Sequence, residues 1–130
     1  KSKKILSEIS AGELLDKISI LEIKMEKITD KKKLEEIKKE YEILQETQSS
    51  SIELTDNIKK LFNKNKKINL SLWEIEDKIR ICEKKNDFGK DFIKLARSVY
   101  FNNDKRAEIK FEINKMLGSN IKEIKQYADY

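Results

Sequence analysis

The sequence predicts an all-α protein, an antiparallel helical bundle of about five helices with long heptad-patterned helices. Three observations carry this. There is no proline and there are only three glycines, so little interrupts a helix. Apolar residues recur at alternating steps of four and three, the spacing of one helix face. Charged residues (41%) outnumber hydrophobic ones (38%), which suits amphipathic helices with thin apolar stripes better than a thick globular core. At 130 residues the chain reads as a single domain, 1–130.

Helix one is expected to begin at Ser10. Ser10 and Glu13 have capping-box spacing, in which hydroxyl and carboxylate each satisfy a free backbone N–H. Leu14, Ile18, Leu21, Met25 and Ile28 continue it as a stripe. Asp30 is the expected cap of helix two, with Leu34, Ile37, Tyr41 and Leu44 on one face. The link between them is short, so the two form a helical hairpin. Gln48–Ser51 is polar, without apolar period, and reads as a loop.

Helix three, starting near Ser51 or Asp56, carries the longest pattern. Leu54, Ile58, Leu61, Asn65, Ile68, Leu72, Ile75, Ile79 and Cys82 form a heptad seam with one polar interruption. The seam keeps its phase across Asn63–Lys67, which favours one continuous helix, and Asn65 is placed to set register against a partner helix. Asn86 and Asp87 end it and could cap the next. Helix four follows with Phe88, Phe92, Leu95 and Val99. Asn102–Asp104 reads as a turn and cap that opens helix five, with Ile109, Ile113, Met116 and Leu117 inward. Gly118 suits a left-handed C-cap. The tail, 119–130, is expected to pack on the bundle through Tyr127 and Tyr130.

Several chemistries are excluded. Histidine is absent, which removes histidine-dependent triads and zinc or di-iron sites, so no metal and no cofactor is expected. Cys82 is the sole cysteine and cannot form an internal disulfide. No apolar run approaches the ~20 residues of a membrane span. The basic start, Lys1–Lys4, is followed by no long apolar stretch and does not read as a secretory signal. The expected location is therefore the cytoplasm. The +5 net charge comes from lysines interleaved with glutamates, the pattern of a solvated surface, so nucleic acid is not the expected partner.

The polar residues of interest begin with arginine. Only Arg80, Arg97 and Arg106 occur among 29 basic residues. The planar guanidinium grips a carboxylate or phosphate at two points, which the lysine ammonium does not do. Arg80 lies one turn from Glu76 and Asp77, with Trp73 nearby; this is either a pocket for an anion or an ordinary surface ion pair beside a core tryptophan. Arg97 sits among apolar stripe members, which predicts a helix interface and a carboxylate partner from Glu13, Asp16, Glu76 or Asp104. Asn103, Asp104, Arg106 and Lys110 open the expected helix five, where free N–H groups favour an anion and where capping is the simpler account. Glu13, Asp16 and Lys17 crowd the first turns of helix one; nothing there predicts the burial that acid–base work requires.

Four segments in combination, Ile9–Lys24, Leu72–Arg80, Phe92–Tyr100 and Asn103–Lys110, resemble a bacterial family of small helical proteins of unknown function. The likeness extends to Ile113, Asn114, Gly118, Ser119 and the tyrosine-containing tail. Its motif positions match Gly12, Glu13, Asp16, Lys17, Trp73, Glu76, Asp77, Arg80, Arg97, Asn103, Asp104 and Arg106. Members of the family are often encoded near surface-polysaccharide glycosyltransferases, so the resemblance implies an accessory role there and supplies no activity. The divergent stretch, 31–68, then reads as a projecting helical hairpin.

The leading expectation is a non-catalytic interaction or accessory protein, a homodimer or the partner of another protein. The rival is a small enzyme or binding protein for a phosphorylated or carboxylated ligand held by the arginines. Nonspecific nucleic-acid binding is the weaker third reading. The sequence leaves enzymatic activity open.

Overall fold

A computed structural model describes residues 3–130; Lys1 and Ser2, the start of the basic segment, lie outside them. The described residues form four α-helices and no strand: α1 (Ala11–Lys27), α2 (Lys31–Ser51), α3 (Asp56–Lys84) and α4 (Lys90–Met116). The all-α class is as expected, and the number of helices is four rather than five.

Capping sets the helix starts. Ser10 precedes α1 with extended backbone, and its hydroxyl accepts from the Glu13 N–H at 3.1 Å. The reciprocal half of the capping box is not made, because the Glu13 carboxylate turns to Lys110 at 2.7 Å. Asp30 caps α2 by accepting from the Lys33 N–H. The cap of α3 is Thr55, which accepts from the Ile58 N–H.

Two expected breaks are helical. Residues 48–51 belong to α2, and the link to α3 is 52–55. The Ser50 hydroxyl donates to the Thr47 carbonyl and the Thr47 hydroxyl to the Ile43 carbonyl, so these polar side chains bond back onto their own helix. Asn102 behaves the same way. Its amide donates to the Ser98 carbonyl at 2.8 Å, so expected helices four and five are one 27-residue helix. No helix N-terminus exists at Asn103, so neither the cap expected there nor its alternative, an anion site on free N–H groups, is formed.

α3 is continuous through 63–67. It stops where Asn86 takes a left-handed φ of 54°, with Asp87 N–H bonded to the Cys82 carbonyl. Asp87 does not cap α4: its side chain accepts from the Gly89 N–H, and Gly89 is the N-cap residue. At the other end of α4, Gly118 (φ 60°) completes a Schellman turn. The Ser119 N–H reaches the Asn114 carbonyl at 2.8 Å and the Gly118 N–H reaches Lys115 at 3.3 Å.

α1 is the centre of the molecule and packs against each of the other three helices. Leu14, Leu15 and Ile18 from α1, Ile58 from α3 and Ile113 from α4 form the core, with Tyr41 and Leu44 of α2 against it. Burying such side chains contributes about 1.5–3 kcal/mol each. The α3/α4 pair continues beyond this core. There Cys82 is buried, and Ile81, Phe88 and Ile93 remain exposed.

Candidate functional site

Asp16 is 1% exposed at the heart of the helix contacts. Its face of α1 is not the Leu14/Ile18 stripe, which lies about 200° away, but the one it shares with buried Gly12, Ser19 and Ile23, on a helix surrounded on three sides. A buried carboxylate is costly unless it is paired and hydrogen-bonded. Arg106 of α4 supplies both, with Nε to Oδ1 at 2.9 Å and a terminal guanidinium nitrogen to Oδ2 at 2.5 Å. Two asparagines of α3 complete the shell. The side-chain amides of Asn65 and Asn69 donate to Oδ1 at 2.9 and 2.8 Å. Asn69 also donates to the Ser19 hydroxyl, which donates to the Asp16 carbonyl. Asn65 is therefore turned toward a neighbouring helix of its own chain, α1, through Asp16. Its donation to the carboxylate fixes its amide orientation and leaves its Oδ1 as a buried acceptor without a protein partner.

Lys110, one turn after Arg106, extends the network. Its buried ammonium bonds Glu13 at 2.7 Å and Glu123 of the tail at 3.1 Å, and lies 3.8 Å from Asp16. Lys17 approaches Glu13 at 3.7 Å from the exposed rim. Nearby, α4 closes the start of α1. Asn114 Oδ1 accepts from the Gly12 N–H at 2.6 Å, and the Ser119 hydroxyl accepts from the Ala11 N–H at 3.1 Å. These are two of the orphan donors of a helix N-terminus. Gly12 is required by this approach: a Cβ there would lie 2.5 Å from the Lys110 carbonyl oxygen.

The network holds its charges. Burial by itself would raise the Asp16 carboxyl, but hydrogen bonds from Arg106 and Asn69, the Arg106 charge and the Asn65 bond outweigh it and hold it below its usual range. Burial would lower Lys110, but Glu13, Asp16 and Glu123 together raise it. The hydrogen bond to Asp16 raises Arg106 further. No member of this shifted set is moved toward neutral pH.

Beside the network lies an open groove of about 500 Å³. Ile20 and Ile23 of α1 and Leu72 of α3 make its apolar floor, and Trp73 lines it. Glu76, Asp77 and Arg80 are arrayed along α3, and Arg106 reaches it from α4. Arg80 is 79% exposed in its side chain and pairs loosely with Glu76 at 3.5 Å.

Of the residues singled out in the sequence, Glu13, Asp16, Lys17, Arg106 and Lys110 come together in the network or at its rim. Trp73, Glu76, Asp77 and Arg80 meet Arg106 in the groove. Asn103 is in reach of Arg106 only at 3.5 Å. Asp104 faces the tail and accepts from the Tyr130 hydroxyl. Arg97 is the correction: it is exposed, forms no ion pair among the described residues, and lies 6.0 Å over the Phe101 ring. Nine residues at ~100° each put it about 180° from Arg106 around one continuous helix. Asn69, Ser19, Asn114, Ser119 and Glu123 were not singled out as site residues. Asn69 had a signal, a second asparagine one turn after the one that interrupts the seam.

A model of a family of unknown function (DUF6165) matches residues 5–129, nearly the whole chain. The chain belongs to this family. The match takes in all four helices and the tail, so the Asp16 network and the groove both lie within the DUF6165 region. No curated protein and no solved structure matches the chain. Among the described residues, no helix is long and apolar enough to cross a membrane, and no group of three or more histidine, cysteine or acidic side chains is placed to hold a metal ion.

Proposed function

We propose that this protein is a non-catalytic interaction protein that engages a partner through the α1/α3/α4 groove. The observation that carries this reading is the state of the ionic network. A general acid or base works best with its pKa near the working pH. Asp16 is pushed down and Lys110 pushed up, so both stay charged and bonded to each other's neighbours. They tie helices together, and neither is shifted toward neutral pH. The groove beside them offers what recognition needs: apolar floor, one aromatic, and exposed charges of both signs at its edge. The setting implied by the resemblance, beside surface-polysaccharide glycosyltransferases, makes those enzymes the first partners to try.

The second reading is a small anionic ligand held between Arg80 and Arg106, favoured by their sharing one groove. Trp73 is the only tryptophan, so its emission reports the groove alone. The proposal expects co-purification with a co-expressed neighbouring glycosyltransferase, lost in Trp73→Ala and Arg80→Glu. It also expects flat Trp73 emission against nucleotide sugars, sugar phosphates and dicarboxylates. Saturable quenching by one of these, abolished in Arg80→Ala, favours the second reading; turnover of any of them refutes the first.

A further inference from the structure

The α3/α4 hairpin beyond the core presents a different surface. Two shallow grooves lie on it. One is lined by residues that include Lys78, Ile81, Lys85 and Leu95; the other by Lys90, Ile93, Arg97 and Phe101. Lys94 and Ser98 line both, so the two form one face. Ile81 and Ile93 are exposed by 51% and 54%, and Phe88, at the hairpin tip, by 49%. Five cations occupy this face against two carboxylates, Asp87 and Asp91. Among the described residues none of the five is in an ion pair, as for most lysines of the chain; what sets this face apart is that its cations flank the exposed Ile81 and Ile93.

We propose that this basic, apolar-studded face of the α3/α4 hairpin docks on an anionic lipid surface. Unpaired cations are attracted to such a surface, and exposed isoleucine and phenylalanine side chains gain by entering the interface between headgroups and acyl chains. Charge decides against a second copy. A two-fold contact sets the patch against itself, so five cations would face five cations. The isoleucines favour lipid over single-stranded nucleic acid, whose bases stack on aromatic rings: Phe101 is the one ring lining the two grooves. The face lies on a different side of α3 from Trp73 and Arg80, so the proposal is independent of what the groove binds.

The test is flotation with vesicles of equal parts phosphatidylglycerol and phosphatidylcholine, and with phosphatidylcholine alone. The full chain is expected to float with the anionic vesicles only, and to release when salt rises from about 0.1 M to about 0.5 M. The triple reversal Lys85→Glu, Lys94→Glu, Arg97→Glu is expected to weaken binding more than about tenfold with helical circular dichroism unchanged. Ile93→Ser is expected to weaken it less, at unchanged charge. A control reversal on α2, Lys31→Glu, Lys32→Glu, Lys38→Glu, is expected to leave at least half of the binding. The proposal is overturned by equal flotation with neutral vesicles, by no flotation with either, by equal losses in the two triple variants, or by an oligonucleotide binding more tightly than the anionic vesicles.

Discussion

Replacing Asp16 by alanine removes the acceptor on which three helices converge. The Arg106 guanidinium, whose side chain is 26% exposed, loses two hydrogen bonds and its counter-charge. Truncating one member of a buried pair costs about 3–5 kcal/mol. Water can reach this arginine in part, so the lower end of that range applies. Asn65, 1% exposed, loses the only acceptor of its amide, a penalty of about 1–3 kcal/mol. Asn69 keeps Ser19 and contributes little. The expected loss is about 4 kcal/mol, most of a marginal protein's stability. At about 3–5 °C per kcal/mol for a chain of this length, the melting temperature should fall by about 15 °C. Arg106→Ala should cost less, since the carboxylate keeps both asparagines and has Lys110 3.8 Å away. Urea unfolding, followed by far-ultraviolet circular dichroism and Trp73 emission, measures both variants and their double mutant. A loss under about 1 kcal/mol in Asp16→Ala would refute the reasoning, because a surface pair behaves that way and a buried tie does not.

Three further outcomes follow from the same geometry. Gly12→Ala forces its Cβ against the Lys110 carbonyl, and overpacking of this kind should cost about 1–3 kcal/mol by the same unfolding assay. Arg97→Ala should change stability by less than about 0.5 kcal/mol, the mark of an exposed residue without an ion pair. Stability should form a plateau in pH. Asp16 is depressed when folded, so its contribution is present above its ordinary 3.8 and is lost as pH falls through the folded value. Lys110 is raised, so its contribution is complete below its ordinary 10.5 and is lost as pH rises through the folded value. Melting temperatures from pH 3 to 11 should show both edges.

The helical class was legible because the apolar steps and the lack of proline leave no competing period. The starts at Ser10 and Asp30 were legible for a local reason: each cap's partner lies three residues away in the chain. The misreadings share a different cause. Ser50, Thr47 and Asn102 are turn formers when their side chains compete with the backbone, but here they bond back onto helix carbonyls and the helix runs on. Joining two expected helices into α4 then fixed the angular relation of Arg97 to Arg106. The interface expected for Arg97 rested on Leu95 and Val99 flanking it in sequence, but two residues on a helix span about 200°, so it lies across α4 from that stripe. The network itself was only half visible. Arg106 and Lys110 show their one-turn spacing, and Asn65 shows as a break in the seam. Their common target is Asp16, 49 residues before Asn65 and 90 before Arg106. Pairing across such distances depends on how α1 seats between α3 and α4, which no local pattern encodes.

The account rests on Asp16 being a permanently charged tie and not a proton carrier. Carbon-13 spectroscopy of its side-chain carboxyl through a pH titration measures this directly. The account predicts no titration of Asp16 between pH 5 and 8 and a midpoint below the ordinary 3.8. A midpoint between 5 and 8 would contradict it and place a working acid or base at the centre of the fold.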